Sequence, residues 1–168
     1  MAISIPDPYG TELQRWRESF GDPLARSIPT HITLMPPTPV AVSALGAMGE
    51  HLAAVAATER AFPILLSGTA TFRPVSPVVF VALADGIGGC ERLERKVRAG
   101  PVPYTLRFPY HPHVTVAHDL VGEALDRAFK ELAHYRARFP VCGFALYEHG
   151  PDGVWRPQQE FPFGHGAE

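Results

Sequence analysis

Two cysteines in 168 residues exclude a disulfide-stapled scaffold, and Cys90 and Cys142 stand too far apart for a close-spaced metal motif. They read as two buried, reduced thiols of a cytosolic protein. No run of 18 apolar residues is present, so no transmembrane helix is expected. The first ten residues, MAISIPDPYG, lack the basic region and long apolar run of a secretory leader, which predicts a cytoplasmic protein. A basic excess is also missing. Fifteen Lys and Arg against 17 Asp and Glu give a formal charge of −2, which argues against long duplex nucleic acid as a partner. A small local basic pocket is still compatible with that charge.

What is present is a globular composition, 46% hydrophobic and 19% charged, in a length that suits one domain with its own core. Proline is abundant, 18 residues, about twice the usual usage of about 5%. No low-complexity tract accounts for it, so the chain reads as many short elements joined by stiff turns. Residues 2–6 predict a short strand. Asp7 and Pro8 then offer a cap and a first helical position, and Leu13, Trp16 and Phe20 mark an amphipathic helix over about 8–20. Residues 27–35 predict a strand. Thr38-Pro39 would cap a second helix carrying Val42, Leu45, Met48, Leu52 and Val55. A strand over about 62–73 follows. The apolar run 78–84 predicts a central strand. Ile87, Cys90, Leu93 and Val97 mark a third helix, and the glycines at 86, 88 and 89 read as a turn. Beyond a proline-rich loop at 100–110, residues 113–118 predict a strand. Asp119 would cap a fourth helix with Leu125, Ala128, Phe129 and Leu132 inward. Residues 139–149 and 153–163 predict two final strands joined by Gly150-Pro151-Asp152-Gly153. The tail 164–168 is expected to fray.

The order strand, helix, strand, helix, strand occurs twice. Phe62 corresponds to Phe139 at an offset of 77 residues, and His31-Ile32-Thr33 corresponds to His113-Val114-Thr115 at an offset of 82. The pattern predicts an α+β fold. It is a bilobal, pseudo-twofold duplication of a β-α-β-α-β unit, within one domain spanning 1–168. The repeats cover about 2–73 and 79–149, with a final strand at about 153–163.

The repeated strand carries the chemistry. Side chains alternate along a strand, so His31 and Thr33 share one face while Ile32 and Leu34 share the other. His113 and Thr115 oppose Val114 and Val116 in the same way. Facing each other across a twofold, the four polar residues would line a cleft. Two imidazoles suit a phosphodiester, because histidine acts as acid or base near neutral pH. Threonine hydroxyls can donate to the non-bridging phosphate oxygens. This scheme needs no metal and no cofactor.

Two His-x-Thr-apolar motifs about eighty residues apart resemble those of the 2H phosphoesterase superfamily, the LigT-like or 2′-5′ RNA ligase-like proteins. The closest stretches are Pro112-His113-Val114-Thr115-Val116 and Thr30-His31-Ile32-Thr33-Leu34-Met35-Pro36. The resemblance implies antiparallel sheets around a central cleft, with the two histidines as acid and base. It also implies action on 2′,3′-cyclic phosphates or 2′-5′ linkages of RNA ends or small nucleotides. His118 stands where many relatives carry an arginine, three residues after the second threonine.

His31, Thr33, His113 and Thr115 are therefore the candidate catalytic residues. His118, Arg107 and Tyr110 are candidate substrate contacts, the last two because they lie just before the second motif. Arg73 and Arg156 could also clamp a phosphate, and Phe72, Phe108, Tyr147 and Trp155 could stack on a base, but core or rim positions suit most of them. A zinc site at His111, His113, His118 and Asp119 fits poorly, since strand parity sets His118 opposite His113. His51, His134, His149 and His165 read as surface or turn residues. The expected partner is a small nucleotide or RNA end, bound by a monomer. The competing functions are a non-catalytic nucleotide or RNA-end binding module and, more remotely, a zinc hydrolase.

Overall fold

The computed structural model describes residues 1–164; the expectations for His165 and for the rest of the tail lie outside the described residues. The elements run β1 (Ala2–Ser4), α1 (Tyr9–Ser19), β2 (His31–Thr33), a 3-10 turn (Val42–Ala44), α2 (Leu45–Ala57), β3 (Phe62–Thr71), β4 (Val78–Asp85) and α3 (Ile87–Arg98). They continue with β5 (His113–His118), α4 (Gly122–Glu131), β6 (Arg136–Val141), β7 (Gly143–His149) and β8 (Trp155–Pro162). The fold is α+β. All strands join one antiparallel sheet in the order β6-β3-β4-β5-β2-β1-β7-β8. The separate sheets expected from the sequence are thus continuous with one another, joined where β2 pairs β5 through Ile32 and Val114.

One face of the sheet is apolar and covered. Ile3, Ile32, Val79, Val81, Val114 and Val116 pack with Leu13 of α1, Leu52 of α2, Leu93 of α3 and Leu125 of α4 in a single core. Burying such side chains contributes about 1.5–3 kcal/mol each, and this fixes which face of β2 and β5 is left for His31, Thr33, His113 and Thr115.

α1 ends in a turn that matters for the site. Asp22 N–H donates to the Arg17 carbonyl at 3.1 Å and Gly21 N–H to that of Glu18 at 3.0 Å. This closure needs a left-handed residue between them, which Gly21 supplies at φ 85°. It folds Asp22 back onto the helix beside Arg17.

Several elements differ from expectation. β2 has only three paired residues because Pro29 has no N–H, and the N–H groups of Leu34 and Met35 turn to the Met1 carbonyl. α1 starts at Tyr9 rather than Pro8, although Asp7 Oδ1 still accepts from Thr11 N–H at 3.1 Å. Thr38 does not cap α2; its hydroxyl donates to the Pro36 carbonyl, and Val42 and Leu45 are exposed. Asp119 does not cap α4 either. It sits at φ 53°, and Val121 occupies the cap position. Phe129 is 38% exposed, leaving Leu125, Ala128 and Leu132 as the buried stripe. Cys90 is buried, which pushes its thiol up to about 12, but Cys142 is exposed.

Cys142 also breaks the strand expected at 139–149. The first part, β6, pairs with β3, and the second, β7, pairs with β1 and β8. The segment Arg136–His149 therefore serves both flanks of a curled sheet. In the β3–β6 ladder Phe62 faces Val141, Pro63 faces Pro140 and Ile64 faces Phe139. The hairpin at 150–153 forms, with Gly153 at φ 77°.

Candidate active site

The pairing of Ile32 with Val114 fixes the site. In an antiparallel register, one step to either side sets His31 opposite Thr115 and Thr33 opposite His113. Each histidine therefore neighbours the other motif's threonine. His31 and His113 are then diagonal neighbours, a relationship that spans about 7–8 Å, enough to hold a phosphoryl group between two imidazoles. The buried face of the same segments carries Ile32, Leu34, Val114 and Val116, all within 2% of complete burial.

The two imidazoles are held alike. His31 Nδ1 lies 2.7 Å from the Pro29 carbonyl oxygen, and His113 Nδ1 lies 2.7 Å from that of His111. A carbonyl oxygen only accepts, so each Nδ1 carries the proton, and each Nε2 of a neutral ring presents its lone pair. In His31 that lone pair accepts the Thr33 hydroxyl at 3.1 Å.

Their surroundings differ. His31 packs on the indole of Trp155, with ring centroids 4.6 Å apart. Trp155 is fixed by its backbone N–H, which donates to the Ser27 carbonyl at 2.9 Å. His113 lies edge-on to Phe72 at 4.9 Å and against Phe80 at 5.1 Å. Phe80 and Val78 point away from the core that Val79 and Val81 enter. The unbroken apolar run of β4 thus serves two surfaces, a core and an aromatic wall. Burial lowers the His31 pKa to about 4, with smaller contributions from Arg17, the N-terminal ammonium and His113. Burial also lowers that of His113, opposed by its bond to the His111 carbonyl and aided by the His111 ring. Both rings are neutral at neutral pH in the free protein.

His118 reaches the same face through an irregularity. β4 and β5 pair Val79 with Ala117 but Phe80 with Thr115, leaving Val116 as an extra residue. This bulge reverses strand parity beyond it, so Ala117 is buried and His118 exposed on the side of His113 and Thr115. The opposite parity read from alternation alone is corrected by that extra residue. A cavity of about 170 Å³ is lined by His31, Thr115, His118 and Trp155, and by Arg17 and Asp22. His118 Nε2 lies 3.3 Å from Asp119 Oδ2.

The other candidates sit elsewhere. Tyr110 is half-buried and spends its hydroxyl on the Thr33 carbonyl at 2.9 Å; burial holds its pKa far above the ordinary value. Its place is behind the strand, holding Thr33. Arg107 is exposed over the Phe108 ring and does not line the cavity. Arg73 pairs with Asp126 and Arg156 with Asp152. Among the described residues, no group of three or more His, Cys, Asp or Glu side chains could hold a metal ion, and no helix is long and apolar enough to cross a membrane.

The residue that sequence reading missed is Arg17. The signal was available: it stands one helical turn after Leu13 on the buried stripe of α1, where a charge needs a reason.

Comparison with known proteins gives the same picture of the fold. A family model described as the 2′-5′ RNA ligase superfamily matches residues 5–153. A Geobacillus kaustophilus protein named as a proposed phosphoesterase is 26% identical over 139 residues, covering 82% of this chain and 80% of its own. An Oceanobacillus iheyensis protein named likewise is 28% identical over 128 residues, covering 76% and 71%. Among solved structures, a Thermus thermophilus protein superposes with a TM-score of 0.70 at 21% identity, covering 99% of this chain and 97% of its own. E. coli LigT complexed with 3′-AMP superposes with a TM-score of 0.66 at 20% identity, covering 98% and 96%.

Proposed function

The chain belongs to the 2′-5′ RNA ligase superfamily, and on that footing we propose that it is a metal-independent phosphoesterase. Its substrates are 2′,3′-cyclic phosphates or 2′-5′ phosphodiester linkages of RNA ends or small nucleotides. The observation that carries this reading is the matched pair of imidazoles. Each is locked by an Nδ1–H bond to the carbonyl two residues earlier, which leaves Nε2 as the nitrogen available for proton transfer. The complexes of E. coli LigT with 3′-AMP and NADP+ support a small nucleotide as ligand.

In hydrolysis, one neutral imidazole takes a proton from water at Nε2 as the oxygen attacks phosphorus. The other, protonated, gives its Nε2 proton to the 2′ or 3′ oxygen as the P–O bond breaks. The phosphate gains one oxygen, the leaving group gains one proton, and the two rings have exchanged roles. The same pair run backwards forms the linkage. Thr33 and Thr115 donate to the non-bridging oxygens, which carry more charge as the bond order at phosphorus changes. Burial keeps both rings neutral until an anion arrives. The phosphate's own charge then draws in the proton that makes one of them an acid. We read the domain as two lobes, about 2–73 and 79–149, whose axis runs between Ile32 and Val114 and between Pro63 and Pro140, a reading supported by those two pairings.

The test is turnover of a nucleoside 2′,3′-cyclic phosphate in the presence of EDTA. Activity should persist, and should fall by on the order of 10²–10⁴-fold or more in His31→Ala and in His113→Ala. Full activity in either variant overturns the acid–base assignment. Binding of a nucleoside 2′-phosphate without turnover of any cyclic phosphate favours a binding module. Loss in EDTA with recovery on zinc favours a metal enzyme.

A further inference from the structure

Arg17 is 5% exposed and Asp22 is 7% exposed. A guanidinium taken out of water this far needs its donors satisfied. Nε donates to Asp22 Oδ2 at 3.0 Å. Nη1 donates to the Ile28 carbonyl at 2.6 Å and to Gln14 Oε1 at 3.3 Å. Nη2 has no hydrogen-bond partner among the described residues. Among the described residues it is also not one of the polar side-chain atoms sealed from solvent without a hydrogen-bond partner. Arg17 lines the 170 Å³ cavity with His31, Thr115 and His118, and Nη2 is the guanidinium nitrogen whose donors are left for a ligand there.

The surroundings fix the guanidinium rather than merely neutralise it. The turn at Gly21 presents the Asp22 carboxylate to Nε, and Asp22 Oδ1 is itself held by Leu24 N–H at 2.9 Å. The side chain is thus clamped on two nitrogens with the third left over. An ion pair alone would not require that arrangement. It is the disposition of a fork pre-set to receive an acceptor oxygen.

We propose that Arg17 is an anion-binding residue of this site: its Nη2 donates to a phosphate oxygen held beside His31, with the Thr115 hydroxyl and the His118 ring as neighbouring contacts. The inference rests on the reading that the cleft binds a phosphate. It adds a permanent cation to a set that otherwise contains two neutral hydroxyls and titratable imidazoles. The proximity of Arg17 to His31 is consistent with its part in disfavouring the imidazolium in the free protein. A bound phosphate would shield that repulsion.

The experiment measures inorganic phosphate binding by the imidazole proton shifts of His31 and His113, beside turnover of a nucleoside 2′,3′-cyclic phosphate. In Arg17→Lys the ammonium cannot hold Asp22 and the Ile28 carbonyl and still reach the anion. Phosphate binding should weaken about tenfold, and KM should rise by more than kcat falls. In Asp22→Asn an amide nitrogen replaces one of the two oxygens that hold Arg17 Nε and Leu24 N–H, so the fork is no longer pre-set and phosphate binding should weaken severalfold. A purely structural role for the pair lowers the melting temperature of Asp22→Asn and leaves phosphate affinity unchanged. Unchanged affinity in Asp22→Asn overturns the proposal even if Arg17→Lys fails to fold. Equal phosphate affinity in wild type and Arg17→Lys overturns it too, as does absence of phosphate binding by the wild-type protein. Phosphate binding that depends on Arg17 without any turnover keeps this inference and discards the hydrolase. Turnover and phosphate binding both indifferent to Arg17 do the opposite.

Discussion

The His31 imidazole lies against the Trp155 indole at 4.6 Å, the two planes inclined by 33°, and this contact excludes water from one face of the ring. Trp155→Ala should readmit it. The His31 pKa should then rise from about 4 toward the ordinary value of about 6.5, as read by NMR titration of the ring protons. Trp155→Phe, which keeps an aromatic face there, should shift it much less. An unmoved His31 in the alanine variant would mean that the indole is not the desolvating wall.

The same lowered pKa makes the fold acid-sensitive. Because the native ring resists protonation and the unfolded one does not, the unfolded state binds the extra proton first. Its contribution to stability is fully present above about pH 6.5 and is lost as pH falls toward 4. The full shift corresponds to about 3 kcal/mol, lowered further where His113, shifted in the same direction, adds its part. Denaturant midpoints measured across that window should fall in wild type and fall less in His31→Gln. Saturating phosphate should flatten the same profile, since an anion between the rings favours their protonated forms.

Thr115 faces His31 across the β2–β5 pair and reaches the cavity. Thr115→Val removes the hydroxyl and keeps the shape, so kcat/KM for a cyclic phosphate should drop by about 10–100-fold while the melting temperature changes little. Thr115→Ser should retain most of the activity. Steady-state kinetics on the three proteins checks this.

Tyr110 has no equivalent freedom. Its hydroxyl is bonded to the Thr33 carbonyl at 2.9 Å, so Tyr110→Phe should cost about 0.5–1.5 kcal/mol of stability. The carbonyl left behind belongs to the strand that carries His31 and Thr33, and a modest loss of kcat with unchanged KM should accompany it. Equilibrium unfolding and kinetics read the two effects separately.

What could be seen in the sequence was local. The alternation of His31 and Thr33 with Ile32 and Leu34 needs only the period of a strand, and the structure sets them on those faces. The hairpin at 150–153 needs only turn chemistry. What escaped depends on partners far along the chain. The extra residue at Val116 arises from how β5 pairs with β4, and it alone turns His118 into the cleft. Trp155 reaches His31 because its backbone is tied to Ser27, a contact no periodicity announces. The break at Cys142 follows from β7 leaving β3 for β1. Arg17 is intermediate: its place on a buried stripe was readable, and its spare nitrogen was not.

The segment that serves both flanks has a consequence for how the protein is made. Ala2 pairs with Ala145, a residue made much later in synthesis. Until β7 emerges, the outer edge of β1 has no neighbour, and an open strand edge invites foreign strands. Such late, long-range pairing also slows folding. Ribosomes stalled before about residue 142 should therefore hold a nascent chain that recruits chaperones, and chaperone release should be abrupt once the β7–β8 hairpin is out. The strands carrying His31 and His113, already paired through Ile32 and Val114, would be assembled earlier than the sheet that flanks them.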